Sequence, residues 1–454
     1  MSQSWMFRSA IRSFARVAVL VLGLSLPCAA AQYILELKAA SSLSGVLSTY
    51  GLMLVRSLEH PGGTVYLVST LNPVTPQFFK QINGDSRVAE FESDSDIHSP
   101  EIPGVLPPVI NTSVLASAIQ NTSQMQYYGS QVRGSYAQQP AGTLIELPGA
   151  LQKYATGSGI VAVIDTGIDP THPAFKNVLV PGYDFTRALP GSGSELADLA
   201  QSTVAILDQS TVAILDSKKF GLLLNQSTVA ILDQSTVAIL DTLNVPSDFG
   251  HGTMVAGLIH LVAPTAGIMP LKAFRSDGSA SLSDIVSAVY YAVDHQAKVI
   301  NMSFSSPLAS TSLAAAIQYA TSHNVICIAS GGNDGKRETV YPAAIPGVIG
   351  VGSTTALDKR SFFSNYGYPS VRMAAPGEAL ITTYPGNNYA GVWGTSFSAA
   401  LTSGAVALLL QVKPHLHNSD VSDYLEHGHH LNIDGMGDSR LDVLSTLLAA
   451  LLNN

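Results

Sequence analysis

Charge is scarce in this sequence and cysteine almost absent. Of 454 residues only 12% are Asp, Glu, Lys or Arg, while 46% are apolar. That balance excludes a disordered chain, which needs low hydrophobicity and many charges, and suits a large buried core. Acids outnumber Lys and Arg 32 to 23, for a net charge of −9. A nucleic-acid partner demands a basic face, so no nucleic-acid binding is expected. There are only two cysteines, Cys28 and Cys327. Cys327 sits in the apolar run Val325-Ile326-Cys327-Ile328, where it reads as a small buried hydrophobe rather than a nucleophile. Acid-and-histidine spacing of the zinc-protease type is missing too. His427, His429 and His430, with His415 and His417 nearby, therefore read as a solvated tail, and no metal ligand is assigned.

The apolar run Val17 to Leu26 is ten residues long. At about 1.5 Å per residue it falls well short of the ~30 Å bilayer core, so no stable membrane anchor is expected. Arg8, Arg12 and Arg16 precede it and Ala29-Ala30-Ala31 follow, the pattern of a cleavable export signal over residues 1–31. Pro27 before Cys28 is a poor fit to a lipid-modified cysteine. Cleavage removes three arginines and no acid, shifts the net charge to −12, and leaves Cys327 without a disulfide partner. The expected destination is secreted or periplasmic.

The length suggests two folded units. Residues 32–98 read as a small α+β unit. Its strands are Tyr33 to Leu37, Val65 to Val68 and Val88 to Phe91, with helices Leu43 to Tyr50 and Pro76 to Ile82 between them. Residues 99–142, with prolines, Asn-Thr-Ser triplets and many glutamines, read as a linker open to processing. From residue 143 to 454 apolar strand-like runs alternate with helix-like segments. Strands are predicted at Ile160–Ile164, Ala266–Ala273, Val299–Met302, Val325–Ala329 and Val348–Val351, and helices at Ser283–His295, Ser312–His323 and Ser396–Val412. This alternation predicts an α/β, doubly wound, mostly parallel sheet with helices on both faces. The octapeptide Gln-Ser-Thr-Val-Ala-Ile-Leu-Asp occurs at 201–208, 209–216, 226–233 and 234–241. Its even length keeps Val and Ile on one face of a strand, whereas on a helix each copy drifts by about 80°. Strands and a helical hairpin both stay open; residues 201–241 read as a surface insertion.

Three residues stand out chemically. Asp165 follows the run Val161-Ala162-Val163-Ile164, at the carboxyl end of a predicted parallel strand, where open α/β sheets place their sites. His251 lies between Gly250 and Gly252, which permit a tight backbone around a ring that approaches substrate. Ser396 opens an apolar helix after Gly394-Thr395. A serine there is ordinarily a cap, but the free N–H groups and dipole also favour an oxyanion beside its hydroxyl. Serine needs a base to become a nucleophile, and the base needs a carboxylate to fix its tautomer. Aspartate, histidine and serine in this order, each in a glycine-flanked motif, meet both needs.

At these residues the sequence resembles the subtilisin-like serine peptidases, over about residues 135 to 454. Further similar blocks are Val262-Ala263-Pro264, Val299-Ile300-Asn301-Met302-Ser303, Gly332-Asn333-Asp334-Gly335 and Ala375-Pro376-Gly377. The resemblance implies that Asp165 orients His251, that His251 acts as general base and then acid, and that Ser396 attacks the peptide carbonyl through an acyl-enzyme. It implies Asn333 as an oxyanion donor. Gly278, Ser279, Ala280, Ser303, Phe304, Ser305 and Gly332 would bind an extended peptide substrate, with Leu282 and Phe304 shaping one pocket. Val340 stands where relatives carry a glycine on the first pocket's floor, which implies a preference for small or medium apolar residues. Ala400 replaces a proline and Met254 a histidine of the family pattern. Ala174 replaces an acid that binds calcium in many relatives; a structural calcium ion is thus not supported by the sequence, and no cofactor is required. Residues 32–98 resemble the family's inhibitory propeptide, so the chain's own N-terminal unit is an expected partner, beside peptide or protein substrates. The expectation is a monomeric secreted serine endopeptidase; the competing reading is a catalytically inactive relative that binds or assembles through the repeat insertion.

Overall fold

A computed structural model describes residues 31–38, 41–98, 121–199 and 248–452, together with the backbone of 229–231. All but the last residue of the expected leader over residues 1–31, the linker's residues 99–120 and the rest of the octapeptide segment lie outside the described residues.

Strand β1 (Gln32–Leu37) alternates: Tyr33 and Leu35 enter the N-terminal unit's own core, while Ile34 and Glu36 lie on the opposite face. Helix α1 (Leu43–Tyr50) starts at Ser42, whose hydroxyl accepts the Gly45 N–H, and ends at Gly51 in the left-handed conformation. Strands β2 (Met53–His60) and β3 (Gly63–Ser69) form a hairpin, and helix α2 (Pro76–Asn83) is capped by Thr75. With β4 (Val88–Ser93) the antiparallel sheet runs β2-β3-β1-β4. Strand β2 escaped the sequence reading because Met53, Leu54 and Val55 are exposed, which removes the alternation that marks a strand. A last short strand, β5 (Asp96–His98), leaves this sheet towards the main body.

Residues 121–142, expected to belong to the linker, are instead folded onto the body. Strands β6 (Gln124–Tyr127) and β7 (Ser130–Arg133) form a hairpin, followed by two helical turns at 134–137 and 140–144. Tyr127 and Tyr136 are buried and donate their hydroxyls to the carbonyls of Leu261 and Gly257. Elements of four or five residues carry too little periodicity to be read.

The body centres on six parallel strands: β8 (Ile160–Asp165), β9 (Gly267–Lys272), β11 (Val299–Met302), β12 (Ile326–Ser330), β13 (Val348–Thr354) and β14 (Met373–Pro376). A short strand, β10 (Ser279–Ser281), precedes β11 outside this sheet. The spatial order is β9-β8-β11-β12-β13-β14. The order reverses around β8, and ligand crevices of such sheets open at that switch point, beyond the carboxyl ends of the strands. Both faces are buried in alternation: Val161 and Val163 enter one apolar cluster, Ala162 and Ile164 the other. Helices α3 (His251–Val262) and α6 (Thr395–Val412) fill the first face; α4 (Leu282–Asp294) and α5 (Thr311–Ser322) cover the second. Helix α6 is long and apolar enough to cross a bilayer, but it is buried inside the body. Strands β15 (Leu380–Tyr384) and β16 (Asn388–Val392) form a hairpin beside α3, and the backbone of Val229–Ile231, from the third octapeptide, pairs antiparallel with β16.

The N-terminal unit docks on α4 and α5 through charge. Asp94 accepts the Ser283 N–H and hydroxyl, both at 2.8 Å, in the first turn of α4. Glu92 accepts the Ser310 hydroxyl at 2.9 Å and the Ser312 N–H at 3.1 Å at the start of α5. Arg56 meets Asp284 at 2.7 Å. Helix N-termini present free N–H groups and a positive dipole end, so both carboxylates sit where they stabilise most.

Glu36 lies level with Glu90 across β1 and β4. Burial first, and then the charges of Glu90 and Glu92, push its carboxyl from the usual 4.5 up to about 7. The folded chain therefore keeps a proton that the unfolded chain has released. This stabilisation is full below pH 4.5 and lost as pH rises through about 7. Thermal unfolding of the full-length Ser396→Ala chain, followed at pH 5 to 8, should show a falling melting temperature, and Glu36→Gln should reduce that fall by ~2–4 °C.

Candidate active site

Asp165 ends β8 at the switch point, and the alternation of that strand turns it to the same side as Val161 and Val163, the side of α3 and α6. It is buried, and its Oδ1 accepts the Thr166 N–H at 2.7 Å. His251 Nδ1 lies 2.8 Å from the same oxygen. A carboxylate only accepts, so the imidazole proton sits on Nδ1 and the basic lone pair on Nε2. His251 is the first residue of α3, and its position depends on glycine: a Cβ on Gly252 would lie 2.0 Å from the Gly167 carbonyl oxygen. The helix start is thus pressed onto the turn that follows Asp165.

Ser396 is the second residue of α6, and its Oγ donates to the Ser303 carbonyl at 3.2 Å. The ring of the adjacent Phe397 lies 5.6 Å from the His251 ring. Asn333 follows β12. Its Oδ1 accepts the Thr395 N–H at 2.9 Å and the Thr395 hydroxyl at 2.8 Å, which fixes the amide and leaves Nδ2 as the opposite donor. That Nδ2 is buried, has no protein partner among the described residues, and lies 3.6 Å from where a Cβ of Gly394 would stand. Gly332, at φ +95°, donates its N–H to the Thr395 hydroxyl at 3.2 Å and so holds the same junction.

The remaining expected substrate residues fall into two groups. Gly278, at φ +79°, closes a turn, and Ser279 and Ala280 lie in β10, which is paired antiparallel with β5. Ser303 turns its hydroxyl to the Ser396 carbonyl at 2.9 Å, and Ser305 is half-buried beside Gly332. Leu282, Phe304 and Val340 are only 1%, 2% and 3% exposed. They do not form open pocket walls here; they belong to a core cluster that Ile97 of the N-terminal unit joins. Burial also pushes the Cys327 thiol up to about 12, which keeps it unreactive.

Three contributors had gone unnoticed in the sequence. Glu195, fully buried, accepts the N–H groups of Gly250 and Gly252 at 3.1 and 3.2 Å and the hydroxyls of Thr166 and Thr253. Lys272, the last residue of β9, donates to the Thr166 and Phe274 carbonyls at 2.6 and 2.8 Å and to Asp198 at 2.8 Å. Thr395 links Asn333 to Gly332. A lysine closing an otherwise apolar strand was a readable signal; Glu195, in a short turn after Gly193-Ser194, offered none.

Comparison with known proteins places this geometry. A family profile described as the subtilase family matches residues 157–440. The thermophilic serine proteinase of Bacillus sp. (strain AK1) is 30% identical over 280 residues, which cover 60% of this chain and 57% of that protein. The chain thus aligns with somewhat more than half the length of that relative. Subtilisin BL of Lederbergia lenta is 35% identical over 186 residues, 39% of this chain and 69% of that protein. The crystal structure of fervidolysin from Fervidobacterium pennivorans, a keratinolytic enzyme related to subtilisin, superposes with a TM-score of 0.67. It covers 92% of this chain and 61% of its own length at 21% identity, a likeness of fold. Since the profile match runs from before β8 to beyond α6 and takes in well over half of the sequence, this chain belongs to the subtilase family of serine peptidases.

Proposed function

We propose that the chain is an exported serine endopeptidase that acts through Asp165, His251 and Ser396, with Asn333 as oxyanion donor. The observation that carries this reading is the buried Asn333 Nδ2 beside the start of α6, a donor with no acceptor among the described residues. Leaving such a group unpaired costs about 1–3 kcal/mol in a folded protein. A transition state that brings a negative oxygen gives it a purpose. In the proposed reaction Ser396 Oγ leaves the long bond to the Ser303 carbonyl and attacks the peptide carbonyl carbon. Its proton passes to His251 Nε2, and Asp165 stabilises the imidazolium. The oxyanion takes hydrogen bonds from Asn333 Nδ2 and from the Ser396 N–H, which lies among the free donors of the helix end. His251 returns the proton to the departing amine, and water, activated by the same ring, hydrolyses the acyl-enzyme.

The N-terminal unit is proposed as the chain's own inhibitor. Its β5 is paired with β10, the edge that an extended substrate would use, so β5 takes the substrate's place by strand addition. The export signal and this unit together suit a zymogen that stays closed until outside the cell.

Two outcomes follow. Expressed in a protease-deficient host, the wild-type chain should lose the N-terminal unit through a cut between residues 99 and 120, ahead of the buried hairpin β6–β7, whereas Ser396→Ala should retain it after leader removal. Intact-mass spectrometry separates the two, and fluorophosphonate labelling of Ser396 in the wild type provides a direct check; an alanine variant that matures normally would refute self-processing. Asn333→Leu should lower kcat on a peptide substrate by about 10²–10³ with little change in KM, the magnitude established for this donor in subtilisin.

A further inference from the structure

Glu195 has no part in the chemistry just described, yet it touches both segments that carry the Asp165–His251 pair. It lies in a short turn, Glu195–Asp198, and its side chain is sealed from solvent. A Cβ on Gly167 would lie 2.9 Å from the Glu195 backbone nitrogen, so the turn after Asp165 rests directly on this segment. Oε1 takes the N–H groups on either side of His251 and the hydroxyl of Thr166; Oε2 takes the hydroxyl of Thr253, one turn position further along α3. Helix α3 has no side-chain cap from its own N-cap residue, Gly250. Glu195 does that work from another part of the chain.

The Thr166 hydroxyl is the pivot. It accepts the Gly252 N–H at 3.0 Å and has a single proton to give. Two acceptors compete for it: Glu195 Oε1, and Asp165 Oδ1 at 3.3 Å. With Glu195 ionised, the proton goes to Glu195, and Asp165 Oδ1 keeps only the Thr166 N–H and His251. With Glu195 protonated, the acid donates to a threonine oxygen, and the Thr166 hydroxyl is free to turn to Asp165. An added donor on Asp165 weakens it as the partner of an imidazolium.

Resting on the peptidase reading, we propose that Glu195 is a positioning residue of the triad, whose ionised carboxylate draws the Thr166 hydroxyl away from Asp165 and clasps the backbone on both sides of His251. The switch involves only the uptake of one proton from solvent by Glu195 and the rotation of one hydroxyl; no proton leaves the triad. The charged and titratable groups around Glu195 are Asp165 and His251, Lys272 with its partner Asp198, and the Tyr384 hydroxyl at the end of β15. Arg187 lies beyond Asp198. Burial raises the Glu195 carboxyl to about 7, against the opposing pull of the Thr166 and Thr253 hydroxyls, with Asp165 raising and Lys272 lowering it further. The ionised form therefore gives way to the protonated one within the working range of a histidine base.

The test is Glu195→Gln in the full chain, which keeps the shape and removes the charge. On a peptide substrate kcat should fall by about tenfold, the worth of one hydrogen bond to a charged group, with KM within about twofold. The acid limb of the pH–kcat profile should lose one of its ionisations. Thr166→Val removes the hydroxyl that would turn to Asp165, so added to Glu195→Gln it should recover most of the lost kcat, and in the otherwise wild-type chain it should remove from the acid limb the ionisation that Thr166→Ser keeps. In the Ser396→Ala background, NMR titration of His251 should shift down by at least about half a pH unit in Glu195→Gln. A Glu195→Gln enzyme with unchanged kcat, pH profile and His251 titration would overturn the proposal and leave Glu195 as scaffold. Should the wild type neither hydrolyse peptide nor label with fluorophosphonate, the peptidase reading falls, and the NMR arm alone decides the role of Glu195. Should Glu195→Gln fail to fold, the Thr166 pair decides it, an acid limb in Thr166→Val identical to that of Thr166→Ser being the adverse result.

Discussion

A carboxylate buried at the end of a parallel strand must be given hydrogen-bond donors, and the neighbourhood of Asp165 is built around that demand. Its two donors come from different places: the next peptide N–H and the ring of His251. Bringing the ring that close requires the first turn of α3 to lie against the turn after β8, which only the glycines at 167 and 252 permit. Once α3 is fixed, α6 packs beside it on the same sheet face and carries Ser396 into place. A second buried carboxylate, Glu195, then closes the helix end from the far side. Burial of charge at one point therefore dictates helix placement, glycine positions and a buried acid with no ion-pair partner among the described residues.

Much of this arrangement was legible in the sequence. Strands buried on both faces are continuous apolar runs, so β8, β11, β12 and β13 were readable within a few residues. The same property hid which face each helix covers, because a strand apolar on both sides carries no polarity signal. Only the structure sorts Val161 from Ala162. The hairpin β6–β7 was lost to its brevity, and β2 to its exposure.

Asp165, His251, Ser396 and Asn333 were visible because each sits in a glycine-flanked block whose backbone demands leave marks. Glu195 leaves none, since its importance lies wholly in long-range contacts to Thr166, Gly250, Gly252 and Thr253. Val340 is a different case. Its position in a block was readable, but its surroundings depend on the Ser370 hydroxyl that holds its N–H at 2.8 Å, thirty residues away. Local pattern reports backbone needs well and tertiary neighbours badly.

The contacts of Glu92 and Asp94 with α5 and α4 bear on how the proposed zymogen would be activated. None of them is covalent, and none involves the backbone of the expected linker. Cutting the chain after β5 thus leaves every one of these bonds intact, together with the β5–β10 pairing. In the proposed zymogen, severing the connection and opening the cleft would then be separate events, the first a chemical step and the second a dissociation governed by dilution and by acidity. Departure of the unit would also surrender two helix ends to water, so the body left behind would differ in its own electrostatics from the body that folded.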